Sequence, residues 1–170
     1  MAITRRLLTC LILLATLWTA APARAEATLV AVAPDMAAGT IVVRTAERAL
    51  YLVLPDGQAL RYSVGVGRPD RQWIGTTAIT GKYVKPNWAP PAAIRNDSPD
   101  LPAVIPGGSP ANPMGAAALT LSGGDYAIHG TNRPDSIGGF VSYGCIRMSN
   151  ADIVDLFDRV DLGTPVIVTR

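Results

Sequence analysis

The chain has 170 residues, with 15 Lys and Arg against 13 Asp and Glu, one His, two Cys and 49% hydrophobic side chains. Three of the basic residues, Arg5, Arg6 and Arg24, fall in the first 25 positions, so the remainder balances at 12 basic against 13 acidic. That remainder is the size of one domain with one core, and it lacks the basic stripe that a nucleic acid or an anionic membrane surface would need.

The first 25 residues read as a secretory signal peptide. Arg5 and Arg6 form a basic start, and Leu7 to Trp18 form an apolar run too short to span a bilayer comfortably. Ala23-Arg24-Ala25 then supplies a small-x-small cleavage site, with an uncleaved N-terminal anchor as the alternative. The expected division is 1–25 as signal and 26–170 as one exported domain without a stable membrane anchor. Cys10 leaves with the signal, and Cys145 enters an oxidising compartment with no partner in its own chain. Such a leftover thiol is either reactive or a link to another chain.

Residues 28–33 and 40–44 have the β-rich pattern of short strands. Ala49–Leu54 and the run starting at Gln58 flank Pro55-Asp56-Gly57, which predicts a hairpin. Another strand is expected from Thr76. From Pro86 to Gly115 the chain becomes rich in proline and glycine, which predicts neither helix nor central strand. The apolar residues Trp88, Ile94, Leu101, Val104 and Ile105 within it predict a loop packed across one end of the domain, a candidate lid.

Strands are expected at 117–122 and 126–129, the second delivering His129 at its end. Ser149-Asn150-Ala151-Asp152 resembles a capping box, and Ile153, Leu156, Phe157 and Val160 follow helical spacing before Gly163. A final strand is expected at Pro165–Thr169. The expected fold is mainly β, with one short helix near the C-terminus and no internal repeat.

The only histidine, His129, lies sixteen positions before Cys145 in one glycine-rich stretch. A thiolate is the nucleophilic form of cysteine, and a neighbouring imidazole can take its proton and stabilise it as an imidazolium–thiolate pair. Gly144 permits a tight turn that exposes backbone N–H groups to an oxyanion, while Gly138-Gly139 lets the loop fold back. The residues alone leave a second reading open, in which a buried inert Cys and an ordinary partnered His are unrelated. Two ligands without CxxC-type spacing make a poor zinc site. Arg147 is either a surface ion-pair residue or a carboxylate clamp.

His129-Gly130-Thr131-Asn132, then Ser136-Ile137-Gly138 and Val141-Ser142-Tyr143-Gly144-Cys145-Ile146-Arg147-Met148, resemble the signature of the L,D-transpeptidase catalytic domain family (YkuD-type). The resemblance continues through Asn87-Trp88-Ala89-Pro90-Pro91, Asn112-Pro113-Met114-Gly115, Ser149-Asn150 and Gly163-Thr164-Pro165-Val166. It implies a β-sandwich-like catalytic fold with mixed sheets. It also implies a periplasmic enzyme that attacks peptidoglycan tetrapeptide stems, releases D-alanine and passes the acyl group to an amine, without metal or other cofactor. By position, Cys145 would be the nucleophile, His129 the base and Gly130 the carbonyl that orients the imidazole. Gly144 and Cys145, with Tyr143, would supply the oxyanion hole, and Arg147 and Ser142 would contact substrate or shape the site.

The acceptor would be another stem peptide or an outer-membrane protein. Hydrolysis by the same thioester, as a carboxypeptidase or amidase, is the alternative within enzymes. A catalytically inactive peptidoglycan-binding module is the alternative outside them. Two departures from the family pattern stand out. Tyr143 replaces the His common before Gly-Cys, and residues 67–76 lack the usual Pro-Thr-Gly run.

Overall fold

The computed structural model describes residues 27–33 and 36–170, so the expected signal segment lies outside the described residues. Eleven strands and two α-helices follow in order: β1 (Thr28–Ala31), β2 (Ile41–Arg44), β3 (Ala49–Leu54), β4 (Gln58–Ser63), β5 (Val66–Gly67), β6 (Gly75–Val84), α1 (Ala92–Asp97), β7 (Ala117–Leu121), β8 (Ala127–His129), β9 (Phe140–Ser142), β10 (Ile146–Arg147), α2 (Asn150–Arg159) and β11 (Pro165–Thr169).

Nine strands form one mixed sheet in the order β1-β4-β3-β2-β11-β6-β7-β8-β10, and β5 pairs with β9 in a second, two-stranded sheet. The hairpin of β3 and β4 turns at Pro55-Asp56-Gly57, where Asp56 and Gly57 both adopt positive φ. The C-terminal strand β11 inserts between β2, to which it is parallel, and β6, to which it is antiparallel. β6 changes partners along its length, pairing with β11 through Gly75–Ala78 and with β7 through Ile79–Val84. The register shifts between Ile79 and Gly81, where a side chain at Gly81 would run into Thr120.

Both halves of this sheet close on one core. Ile41, Val43, Leu50 and Tyr62 from one half meet Leu119, Ile128 and Ile146 from the other. Helix α2 packs on β7 and β8 and adds Ile153 and Leu156, each contributing about 1.5–3 kcal/mol of apolar burial. Its expected start is observed, because the Ser149 hydroxyl accepts the N–H of Asp152 at 3.0 Å. A smaller cluster of Val42, Ala49, Tyr51, Val53 and Ala59 covers the opposite face of β2 and β3, so β3 is buried on both faces.

The proline-rich segment departs from expectation in one respect: residues 92–97 form the helix α1. Pro91 precedes its first residue with φ −58°, and the next proline is Pro99, so the six helical residues between them meet no proline block. The segment is packed against the domain. Asn112, 2% exposed, directs its side-chain N–H groups at the carbonyls of Pro86, Ile105 and Pro106 at 2.9–3.1 Å. Trp88 and Ile105 exchange backbone hydrogen bonds across it.

Candidate active site

The short strand pair β8 and β10 explains how residues sixteen positions apart come together. The two run parallel, with Ile128 beside Ile146 and His129 beside Arg147. Cys145 immediately precedes β10. The intervening loop returns through β9, which pairs with β5, so both ends of the glycine-rich stretch meet at one sheet edge. His129, Ser142, Tyr143, Cys145 and Arg147 all line one cleft of about 640 Å³. The proline-rich segment supplies one wall of it through Trp88, Ala89 and the start of α1.

His129 is 4% exposed, and its Nδ1 lies 2.7 Å from the carbonyl oxygen of Gly130. A carbonyl only accepts, so the neutral ring carries its proton on Nδ1 and keeps a lone pair on Nε2. Burial drives the imidazole pKa down from 6.5 to about 4, and the Arg147 charge adds to that. The carbonyls of Gly130 and Pro113 pull weakly the other way.

The Cys145 thiol is free, with Sγ 3.9 Å from the Asp125 carbonyl. Burial pushes its pKa up, and a backbone hydrogen bond from Ala127 and the charge of Arg147 oppose the rise. The resting pair is therefore a neutral thiol and a neutral imidazole. This corrects the expected imidazolium–thiolate pair. Burial penalises both charges, and Arg147 repels the imidazolium.

Arg147 forms no ion pair among the described residues, and its buried Nε has no hydrogen-bond partner. The Asp135 carboxylate is near enough to favour its charge without forming an ion pair, so the guanidinium can still take an anionic group from the cleft.

Ser142 is 3% exposed, and its hydroxyl is committed to the loop. It accepts the Gly144 N–H at 3.0 Å and donates to the Cys145 carbonyl at 2.6 Å. Gly144 has φ +124°, and a side chain there would collide with the Tyr126 ring. Its N–H, expected to face an oxyanion, is thus occupied within the turn.

Tyr143 points the other way. Its hydroxyl donates to Asp97 of α1, and the Arg68 guanidinium lies 4.1 Å from its ring centre.

Three participants were not singled out from the sequence as site residues. Trp73 donates its indole N–H to the Gly144 carbonyl at 2.9 Å and stacks on Tyr126 with ring centres 5.0 Å apart. Asn150 accepts the N–H groups of Ala116 and Thr131 and donates to the Thr131 carbonyl, gripping the chain just after His129 and Gly130. Asp97 anchors Tyr143. Each acts across at least nineteen residues of sequence, beyond the reach of local spacing.

The family model of the L,D-transpeptidase catalytic domain (YkuD) matches residues 38–168. A relative from Escherichia coli named "Probable L,D-transpeptidase ErfK/SrfK" is 41% identical over 142 residues, covering 78% of this chain and 44% of the relative. The "Putative L,D-transpeptidase YqjB" of Bacillus subtilis is 51% identical over 135 residues, covering 76% of this chain and 70% of the relative. The chain thus spans less than half the length of the first and most of the second. Among solved structures, an Enterococcus faecium L,D-transpeptidase superposes with TM-score 0.63 at 18% identity, over 79% of this chain and 50% of that one. An L,D-transpeptidase from Mycobacterium smegmatis gives TM-score 0.61 at 19% identity, over 77% and 58%. At that identity the structural match speaks to the fold.

Proposed function

The chain belongs to the L,D-transpeptidase catalytic domain family, and from that premise we propose that it is an exported cysteine transpeptidase of peptidoglycan stem peptides, working in the periplasm. The observation that carries this reading is the convergence of Cys145, His129 and the unpaired Arg147 on one cleft.

Arg147 binds a carboxylate of the tetrapeptide donor. Cys145 Sγ then attacks the carbonyl carbon of the L,D bond. The thiol proton passes to His129 Nε2, and the carbonyl π pair moves onto oxygen. Collapse of this intermediate breaks the C–N bond. The departing D-alanine amine takes the proton back from His129, leaving a thioester on Cys145. An acceptor amine attacks the thioester, His129 removes its proton, and the thiol is regenerated as the new amide forms. The Gly130 carbonyl supports this exchange by holding the ring with Nε2 unprotonated at rest. The acceptor is another stem peptide or an amine of an outer-membrane protein.

The test is mass spectrometry of products from purified tetrapeptide muropeptides. A product lighter than two donors by one D-alanine is expected and reports cross-linking. A tripeptide alone would show that water is the acceptor. No turnover by the native chain, with none of the acylation by imipenem that a positive control shows, would leave a binding module.

A further inference from the structure

We propose that Trp73 is a positioning residue for the oxyanion site, its indole N–H setting the direction of the Cys145 backbone N–H. This inference rests on the thioester reading above.

The polar groups of the turn around Gly144 are nearly all spoken for. The Gly144 N–H goes to Ser142 Oγ, the Cys145 carbonyl accepts from the same hydroxyl, and the Gly144 carbonyl accepts from Trp73 Nε1. Of the three amides expected at the oxyanion site, that of Gly144 is therefore taken, and that of Cys145, on the nucleophile itself, is the one whose direction Trp73 can set.

That N–H and the Gly144 carbonyl belong to one peptide group. The described residues contain no cis peptide, so the two point in opposite directions across one plane. Anchoring the carbonyl therefore aims the N–H. The anchor matters because residue 144 is a glycine at φ +124°, with no side chain of its own to restrict rotation of that peptide.

Trp73 is suited to hold it. Its ring lies 4° from parallel with Tyr126 and packs against the main core. Tyr126 in turn fills the space beside Gly144 that a side chain would need. Trp73 does not itself line the cleft, so it reaches bound substrate only through its neighbours, the Gly144–Cys145 peptide and the Tyr126 ring, and a variant that keeps the stacking isolates the first. A preorganised donor aimed at the oxyanion lowers the barrier because no reorientation is needed as charge develops.

The decisive comparison uses two reactions of the same thiol. Acylation by imipenem passes through an oxyanion, whereas alkylation by iodoacetamide displaces iodide at a saturated carbon and forms none. Trp73→Phe keeps a ring on Tyr126 but lacks the N–H. Replacing the Trp73 indole by benzothiophene, with an unnatural amino acid, keeps the shape as well. Both variants are expected to lose about tenfold to a hundredfold in the maximal acylation rate, with half-saturating imipenem unchanged and alkylation within about twofold of native. Native acylation rates in the benzothiophene variant would overturn the role of Trp73, as would a parallel fall in alkylation. A native chain that alkylates but never acylates would remove the thioester reading itself.

Discussion

The Tyr143 hydroxyl donates a hydrogen bond to the Asp97 carboxylate, joining the residue next to the cysteine turn with a helix 46 positions earlier. Arg68 completes the junction, stacking on the Tyr143 ring and lying 3.9 Å from the same carboxylate. At the position where many family members carry a second histidine, this chain holds a tether between the cysteine loop and the wall of its cleft. Asp97 raises the phenol pKa, so the hydroxyl stays protonated and keeps donating.

Tyr143→Phe is expected to loosen that tether without touching the proton chemistry. Backbone amides of 92–97 should exchange faster with deuterium, while the pH midpoint of Cys145 alkylation stays at its native value. A displaced midpoint would mean that the phenol takes part in proton transfer.

His129 makes stability fall in mild acid. Its folded pKa of about 4 lies below the ordinary 6.5, so the unfolded chain binds a proton that the folded chain refuses. The contribution is complete above pH 6.5 and is lost as the pH falls towards 4, on the order of 3 kcal/mol in all. Urea unfolding across that window should show a steeper loss for the native chain than for His129→Gln. Equal slopes would contradict the depressed value. For the same reason the acid limb of turnover should lie near pH 4 rather than 6.5.

Arg147→Gln should act on both members of the pair. Removing the guanidinium lifts the thiol pKa further above its ordinary value and relieves the repulsion on the imidazole. At a pH high enough to ionise the thiol in both proteins, alkylation should recover fully. Donor turnover should remain about tenfold to a hundredfold lower, the worth of a charge-assisted carboxylate contact. Full recovery of turnover would place the donor carboxylate elsewhere.

Asn150 is expected to matter more than its exposed position suggests. Its amide oxygen takes two backbone N–H groups and fits a cradle between Gly115 and Gly130 that side chains there would fill. Asn150→Ala leaves three backbone groups seeking partners, at roughly 1–3 kcal/mol in chemical denaturation. Turnover should drop as well, because the Gly130 carbonyl that orients His129 belongs to the gripped segment. A loss of stability with turnover per folded molecule unchanged would confine Asn150 to a structural role.

Local chemistry was readable without coordinates. The Pro55-Asp56-Gly57 hairpin and the Ser149-capped helix are decided by residues a few positions apart, so their signals sit within one short window. The stretch from His129 to Arg147 named the reactive groups for a similar reason, because the chain returns on itself inside one loop.

Three of the shortest strands, β5, β9 and β10, were not singled out, since they exist only through the partners that pair with them. Helix α1 was obscured by the prolines around it, although Pro91 only restricts what precedes the first turn. Residue types alone suggested a charged Cys–His pair; burial disfavours both charges and Arg147 disfavours the imidazolium, although it favours the thiolate. The sequence by itself determined which atoms can react. Tertiary structure decided which of their charged forms burial disfavours and which backbone groups of the cysteine turn are already hydrogen-bonded. Both depend on desolvation and on contacts such as Trp73 with Gly144, made across 71 residues of chain.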